Sequence, residues 1–557
     1  MNKMKNEPYS YHTFLFPFIW NRAGKTDFSE FVTCLDPAFW IEKKGQAAEE
    51  TQKQEFFEEY QAKQYFIPNA RNLLYDSGAS GVVHNYDFLP QGKPFSIENG
   101  NYDAEYIITK TEQNEGDEAA VTESFRLAVN GIRLRIFNSG VAILKLETEY
   151  YGDKTRNGED VSDERPCADD FCKINEFGRR INLPFLGAKR TADGRFYHAL
   201  VADCLELRFC HGDKTFSIRE DYSCLLEKLD RFADVAAKQV SETFVSKTIK
   251  RLIDYGQPKC RVSSKKEAAE NAHFIYPIID DRMFVCAMIC DQELSNIIAQ
   301  KQKNSPDAEY LIYEDDALSK EIYRIGFVET DCTCQNSEMR KSILKRCVYG
   351  RWLDYGTIDV ITHHSLIRIT TDVSIVRDAV AYPFLMQYVQ MAEIALLQRA
   401  TVLALIDCTD DIAAEITVSG GTHVYDKIFR LQAQYILAQN QIFLGHVTVQ
   451  EQGIEEYDML LSELYIPSTL AEFDAQIKDV YALSDGLVEK ETGKAINYLT
   501  ILSTLFAVAP ILIEWPHELD AWDWSGVLLF GVGVFLGAKL ILSRIFRGKG
   551  KKKKGKK

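Results

Sequence analysis

Ala495–Trp515 reads AINYLTILSTLFAVAPILIEW, a run in which the first charge is Glu514. As a helix at 1.5 Å per residue it would be about 31 Å long, the thickness of a bilayer's hydrocarbon core. Trp524–Leu542, WSGVLLFGVGVFLGAKLIL, is a second segment of the same kind, with Lys539 close enough to its end to reach the interface. Only Pro516–Asp523 joins the two, so a hairpin with both ends on one side is expected, anchored by Trp515, Trp522 and Trp524. Nine of the residues from Arg544 to Lys557 are Lys or Arg, and the positive-inside rule makes that side cytoplasmic. The reading is a multi-pass inner-membrane protein with cytoplasmic termini and a basic tail that can meet anionic headgroups.

The first segment is polar along one stripe. Asn497, Thr500, Thr504, Ala507, Ile511 and Glu514 follow 3,4,3,4,3 spacing and share a helical face, while the other faces carry Leu, Ile, Phe and Val. A polar group left unpaired in hydrocarbon costs several kcal/mol, so the stripe needs a partner or water. Several copies around an axis satisfy it, lining a pore with Asn497, Thr500, Thr504, Ile511 and Glu514. The competing reading has the threonines bonding back to their own helix or joining helices together. Gly533 and Gly537 in the second segment would allow close packing on a neighbour, a weak motif alone.

Working upstream, no proline occurs from Ser468 through Val508, and Leu470, Phe473, Ile477, Val480, Leu483, Leu487 and Val488 keep a helical stripe leading into the span. Val373–Leu405 and Lys427–Leu464 read as further long helices, with Pro383 expected to start or kink the first. Strands are predicted at Arg126–Val129, Ile132–Phe137 and Val141–Glu147, with a turn at Asn138–Gly140, and another strand-like run over Ile358–Ile369. The expected organisation is an α/β cytoplasmic sensor domain over 1–370, an α-helical stalk over 371–494, transmembrane helices at 495–515 and 524–543, a periplasmic loop at 516–523 and a tail at 544–557.

The whole chain of 557 residues carries −16 with nine cations in its tail, which leaves residues 1–543 at −25. Direct DNA or RNA binding is not expected from so acidic a body. The thirteen cysteines are scattered and often beside apolar residues, as in reduced cytosolic thiols. Phe14–Trp20 is too short for a signal peptide, and Pro17 breaks it. Gly24-Lys25-Thr26 lacks the earlier glycine of a phosphate loop, since Ile19 stands there, which argues against ATPase chemistry. Asp169-Asp170, Asp280-Asp281, Asp315-Asp316 and Asp410-Asp411 have no spaced Glu or His partners and read as turns or solvated ends. No Ser/His/Asp or Cys/His arrangement stands out, so no catalytic residue is assigned and the chain is not read as an enzyme.

A large α/β domain, long helices and two C-terminal spans with a basic tail resemble the CorA divalent-cation transporters. Leu499-Thr-Ile-Leu-Ser-Thr-Leu-Phe506 is similar to the start of that family's first span. The resemblance implies a homopentamer that passes Mg2+ or a similar divalent cation. The family's Gly-Met-Asn is replaced by His517-Glu518-Leu519, so Glu514 or Glu518 would supply the ring that meets the hydrated ion. Three further segments, Tyr11–Phe18, Ile174–Ile181 and Gly356–Ser365, resemble the divergent CorA-like proteins that accompany type III CRISPR systems. That resemblance implies an antiviral membrane effector opened by a nucleotide messenger, a cyclic oligoadenylate or the AMP conjugate of S-adenosylmethionine (SAM-AMP).

The residues offer a candidate messenger site. Arg179 and Arg180 follow Gly178, where two guanidinium groups could hold a phosphate, with an acid-paired doublet as the alternative. Asn175 could read a base edge, and Arg133 or Arg135 could complete the site if their hairpin lies alongside. His363 and His364, if on a strand, point to opposite faces, leaving His364 as a possible ligand contact. Two other classes remain open: a housekeeping magnesium transporter, and a membrane-anchored messenger-binding or enzymatic protein whose hairpin serves only as an anchor.

Overall fold

Tyr11–Phe18, the apolar run near the N-terminus, lies within the central strand of a large sheet. The computed structural model describes residues 7–20, 31–32, 35–43, 60–75, 82–89, 95–98, 101–112, 120–180, 188–190, 196–198, 201–211, 214–222, 252, 261–262, 274–280, 282–304, 311–419, 425–482, 486, 493 and 496–499. The strands that matter here are β1 (Ser10–Ile19), β2 (Ala104–Glu112), β3 (Val121–Phe137), β4 (Val141–Tyr150), β5 (Cys204–His211), β6 (Lys214–Asp221), β7 (Phe284–Cys290), β8 (Val348–Trp352), β9 (Thr357–Ile361) and β10 (Ser365–Thr370). They pair in the order β6-β5-β2-β3-β4-β1-β7-β10-β9-β8. Every pair on this path is antiparallel except β7 with β10.

β1 is buried on both faces, which is why it reads as a continuous apolar run. Pro17 falls where the ladder to β7 has already ended, at Leu15 opposite Phe284. Phe14, Phe16 and Phe18 enter one large core, each contributing about 2 kcal/mol by burial. That core is closed by α1 (Ala168–Gly178), α2 (Gln292–Asn304), α3 (Asp316–Gly326) and α4 (Ser337–Cys347), which supply Phe171, Ile174, Phe177, Ile298, Ile322, Ile325 and Leu344. Asp315 caps α3 through the Leu318 amide at 3.1 Å and Asn336 caps α4 through Met339 at 2.9 Å. One aspartate doublet is thus a helix start.

Two sequence expectations are corrected by the sheet. Arg126–Val129 and Ile132–Phe137 are one strand, β3, interrupted by a bulge between Val129 and Gly131. The extra residue reverses the alternation, so Phe125, Leu127 and Val129 face the core before it and Ile132, Leu134 and Ile136 after it. Ile358–Ile369 is two strands, β9 and β10, and His363 and His364 lie in the turn between them with ring centroids 3.7 Å apart. The two rings therefore lie together instead of on opposite faces of a strand. Gly356, at φ 68°, precedes β9, and a Cβ there would meet the Ser295 carbonyl oxygen at 2.2 Å.

The other face of the sheet is covered by α5 (Ser374–Pro383), a π-helical turn at Phe384–Tyr388, α6 (Val389–Ser419) and α8 (Glu451–Glu463); α7 (Tyr425–Gln441) lies between the last two in sequence. α6 is fixed to the sheet by Glu393, whose carboxylate pairs with Arg135 at 2.5 Å and Lys145 at 2.7 Å. Burial opposes that charge, but the two cations outweigh it and hold Glu393 below the usual carboxylate range. Gln398 donates to the Ile442 and Leu444 carbonyls at 2.9 and 3.0 Å, tying α6 to the end of α7.

The helices expected of a stalk over 371–494 are therefore divided. One compact unit, Met1–Ile412 with Asp426–Ala475, contains the sheet and these helices; the other is Ala413–Tyr425 with Gln476–Lys557. Among the described residues, Ser374–Ile416 alone is long and apolar enough to cross a membrane by length and composition, and 78% of its most apolar window is buried inside the protein, as in a core helix. Residues 466–482, 486, 493 and 496–499 are helical, and Asn497 is exposed. Thr500, Thr504, Ile511, Glu514 and Glu518, with the remainder of both expected spans, lie outside the described residues.

Candidate functional site

The C-terminal turn of α1 collects the residues singled out in three distant segments. Asn175 receives a hydrogen bond from His12 of β1, Nδ1 to Oδ1 at 2.7 Å, while the other ring nitrogen, Nε2, is 2.7 Å from the Ser10 hydroxyl. The Asn175 oxygen can only accept, so Nδ1 carries a proton, and in the neutral ring Nε2 accepts from the Ser10 hydroxyl. Burial drives the His12 pKa down to about 4, against a weaker opposing effect from Asn175. Asn175 itself is only 1% exposed, so its amide is a core partner of His12.

Arg179 and Arg180 share one carboxylate. Arg179 Nε and Nη2 reach Glu176 Oε2 at 3.0 and 2.6 Å, and Arg180 Nε and Nη2 reach Oε1 at 3.0 and 2.5 Å. Arg179 also donates to the Val328 carbonyl at 3.2 Å. The two guanidinium groups are buried, at 2% and 7% exposure. Arg282 lies near, clasping Asp280 through Nε at 2.9 Å and Nη2 at 2.7 Å. His364 Nδ1 stands 3.8 Å from the same carboxylate. Burial first, then His363, Arg179 and Arg282, hold the His364 pKa down to about 2. The structure thus brings Asn175, Arg179, Arg180 and His364 into one neighbourhood where three arginines face Glu176 and Asp280.

Arg133 and Arg135 do not complete it. They leave β3 on the face opposite α1, where Arg133 meets Asp87 and Glu147 at 3.5 Å and Arg135 meets Glu393. The bulge in β3 decides this, because it puts odd-numbered residues of the second half on the outer face.

The same outer face carries a feature that local sequence did not disclose. Across four strands the pairings align Arg126 of β3, Ile107 of β2, Glu206 of β5 and Arg219 of β6 in one row. The row on one side aligns Ser124, Thr109, Cys204 and Asp221, and the row on the other places Arg208 beside Glu105. The strand Lys154–Arg156 pairs with β3 and walls one end. The result is a cleft of about 450 Å³ over the sheet, with Arg126, Arg208 and Arg219 in its lining. Its residues are up to 112 positions apart, from Ile107 to Arg219, and each arginine by itself reads as an ordinary exposed strand position. The usable signal was Arg at alternating positions in strands whose other face is apolar, and only the register shows that they meet.

Among the described residues no group of three or more His, Cys, Asp or Glu is placed to hold a metal ion. The cysteines described are free thiols, and burial pushes the Cys204 thiol up despite Arg219 nearby. No protein-family model, curated protein or solved structure matches this chain.

Proposed function

We propose that the chain is a membrane effector of the CorA-like kind: a pentameric cation channel whose cytoplasmic domain binds a nucleotide messenger, SAM-AMP or a cyclic oligoadenylate, and whose helices convert binding into opening. Opening would discharge the ion balance of the infected cell and so act as antiviral defence. The observation that carries the reading is the polar stripe Asn497, Thr500, Thr504 and Glu514 in a span-length segment that is otherwise apolar. A hairpin serving only as an anchor has no use for such a stripe. The sheet domain supports it from the other end, since its acidic body nevertheless gathers arginines over its outer face.

A ligand moves a gate only by its differential affinity for the two states. The test is cation flux through protein reconstituted in lipid vesicles, with each messenger added on the cytoplasmic side. Flux that rises with one messenger supports the reading. Flux that ignores every messenger but responds to Mg2+ returns the transporter reading, and no flux at all leaves the anchored protein.

A further inference from the structure

We infer that the outer-face cleft between β2, β3, β5 and β6 binds a phosphate-bearing ligand of nucleotide size. The inference rests on the messenger reading and gives it a location, away from Arg179 and Arg180. Those two are buried and spent on Glu176 at 2.5 to 3.0 Å, so a phosphate would have to break a buried ion cluster to reach them.

The arginines of the cleft are held differently. The nearest carboxylate contact of Arg126 is Glu105 at 3.8 Å, and that of Arg219 is Asp221 at 3.8 Å, with their side chains 49% and 57% exposed. Each keeps most of the planar donor fork that matches a phosphate bidentately. Arg208 is more engaged, with Glu206 at 3.2 Å and Glu105 at 3.3 Å. Lys154 is closed off by Glu123 at 2.7 Å and Asp170 at 2.6 Å and is not counted as a ligand group.

The carboxylates in the lining each accept a hydrogen bond. Asp153 accepts from the Tyr102 hydroxyl at 2.5 Å, Asp160 from the Ser162 hydroxyl at 2.5 Å, and Glu206 from Arg208. A phosphate would enter opposite Arg126 and Arg219, whose carboxylate contacts are the long ones at 3.8 Å. On the sheet floor Thr109 and Ser124 bond each other at 3.0 Å, a hydroxyl pair that can turn towards ligand oxygens. About 450 Å³ falls within the range of small-molecule sites. Among the described residues no aromatic ring lines the cleft, so recognition there is by phosphate and hydroxyl rather than by stacking on a base.

The experiment is calorimetric titration of the full chain in detergent with AMP, adenosine and inorganic phosphate. AMP is expected to bind, and adenosine at least tenfold more weakly. The double variant Arg126→Ala with Arg219→Ala is expected to lose at least tenfold in AMP affinity. Both side chains are half exposed, so its thermal midpoint should match that of wild type. Arg165→Ala, which removes an exposed guanidinium outside the cleft, is expected to bind AMP as wild type does. Binding of adenosine as tight as that of AMP, unchanged AMP affinity in the double variant, or no AMP binding to wild type would each overturn the site. The double variant is also run in the flux assay. Messenger-driven flux that persists in it removes the cleft alone, whereas wild-type protein that never responds removes the reading on which the cleft rests.

Discussion

His12 shows how one side chain can carry a pH dependence for the domain. It is fully buried between Ser10 and Asn175, and burial disfavours its charged form. Its folded pKa, about 4, lies below the ordinary histidine value of 6.5. Protonation is therefore easier in the unfolded chain, and the stability this group supplies is complete above pH 6.5 and is lost as pH falls towards 4. At about 1.4 kcal/mol per pKa unit the loss is on the order of 3 kcal/mol. Thermal midpoints measured from pH 7.5 to 4 should fall more steeply for wild type than for His12→Gln, whose amide does not titrate. Parallel curves would assign the acid sensitivity elsewhere.

At the scale of elements, β10 and the π-helical turn are joined through Arg368. Its guanidinium holds Asp359 of β9 at 2.6 and 2.7 Å and Glu456 of α8 at 3.2 Å. The rings of Trp352, Phe384 and Tyr388 surround it at 5.3, 5.2 and 4.6 Å. The turn at Phe384–Tyr388 follows Pro383, which has no N–H to continue the ordinary ladder, and it delivers two of those rings. One cation faces two buried carboxylates, and burial together with Asp359 pushes the Glu456 pKa well above the carboxylate range. Arg368→Met should destabilise the protein by about 3 to 5 kcal/mol, because it strands Asp359 without a counter-charge. Glu456→Gln should behave oppositely. A raised folded pKa favours the fold at low pH and loses that contribution as pH rises, so the neutral amide should lift the thermal midpoint at pH 8 more than at pH 5. A midpoint lowered equally at both pH values would show that Glu456 is ionised.

At the scale of the whole molecule, an acidic sheet domain precedes two span-length segments and a basic tail. Glu514 is the carboxylate expected at the outer end of the polar stripe, where a ring of five would concentrate cations. Glu514→Ala should reduce messenger-driven cation flux in vesicles several-fold and leave messenger binding unchanged. Flux equal to wild type would take Glu514 out of the ion path. The helical residues 374–412 and 426–475 enter this picture as part of the domain rather than as a separate rod, since Glu393, Gln398 and Glu456 bind them to the sheet and to one another.

The sequence by itself determined what depends on short-range pattern. The length of the two C-terminal apolar segments, the charge of the tail, the Asn138–Gly140 turn and a strand-forming region around β3 and β4 are all legible there, because hydropathy, charge and turn chemistry act over a few residues. It also isolated three segments that meet at the end of α1, but not their terms of meeting: that His12 binds Asn175, or that Glu176 takes both arginines. Tertiary structure alone decided those, together with the face on which Arg133 and Arg135 emerge and the row that sets Arg126 beside Ile107, Glu206 and Arg219. The physical reason is register. In a sheet one inserted residue reverses which side chains face inward, and which strands lie together is fixed by burying the whole core at once.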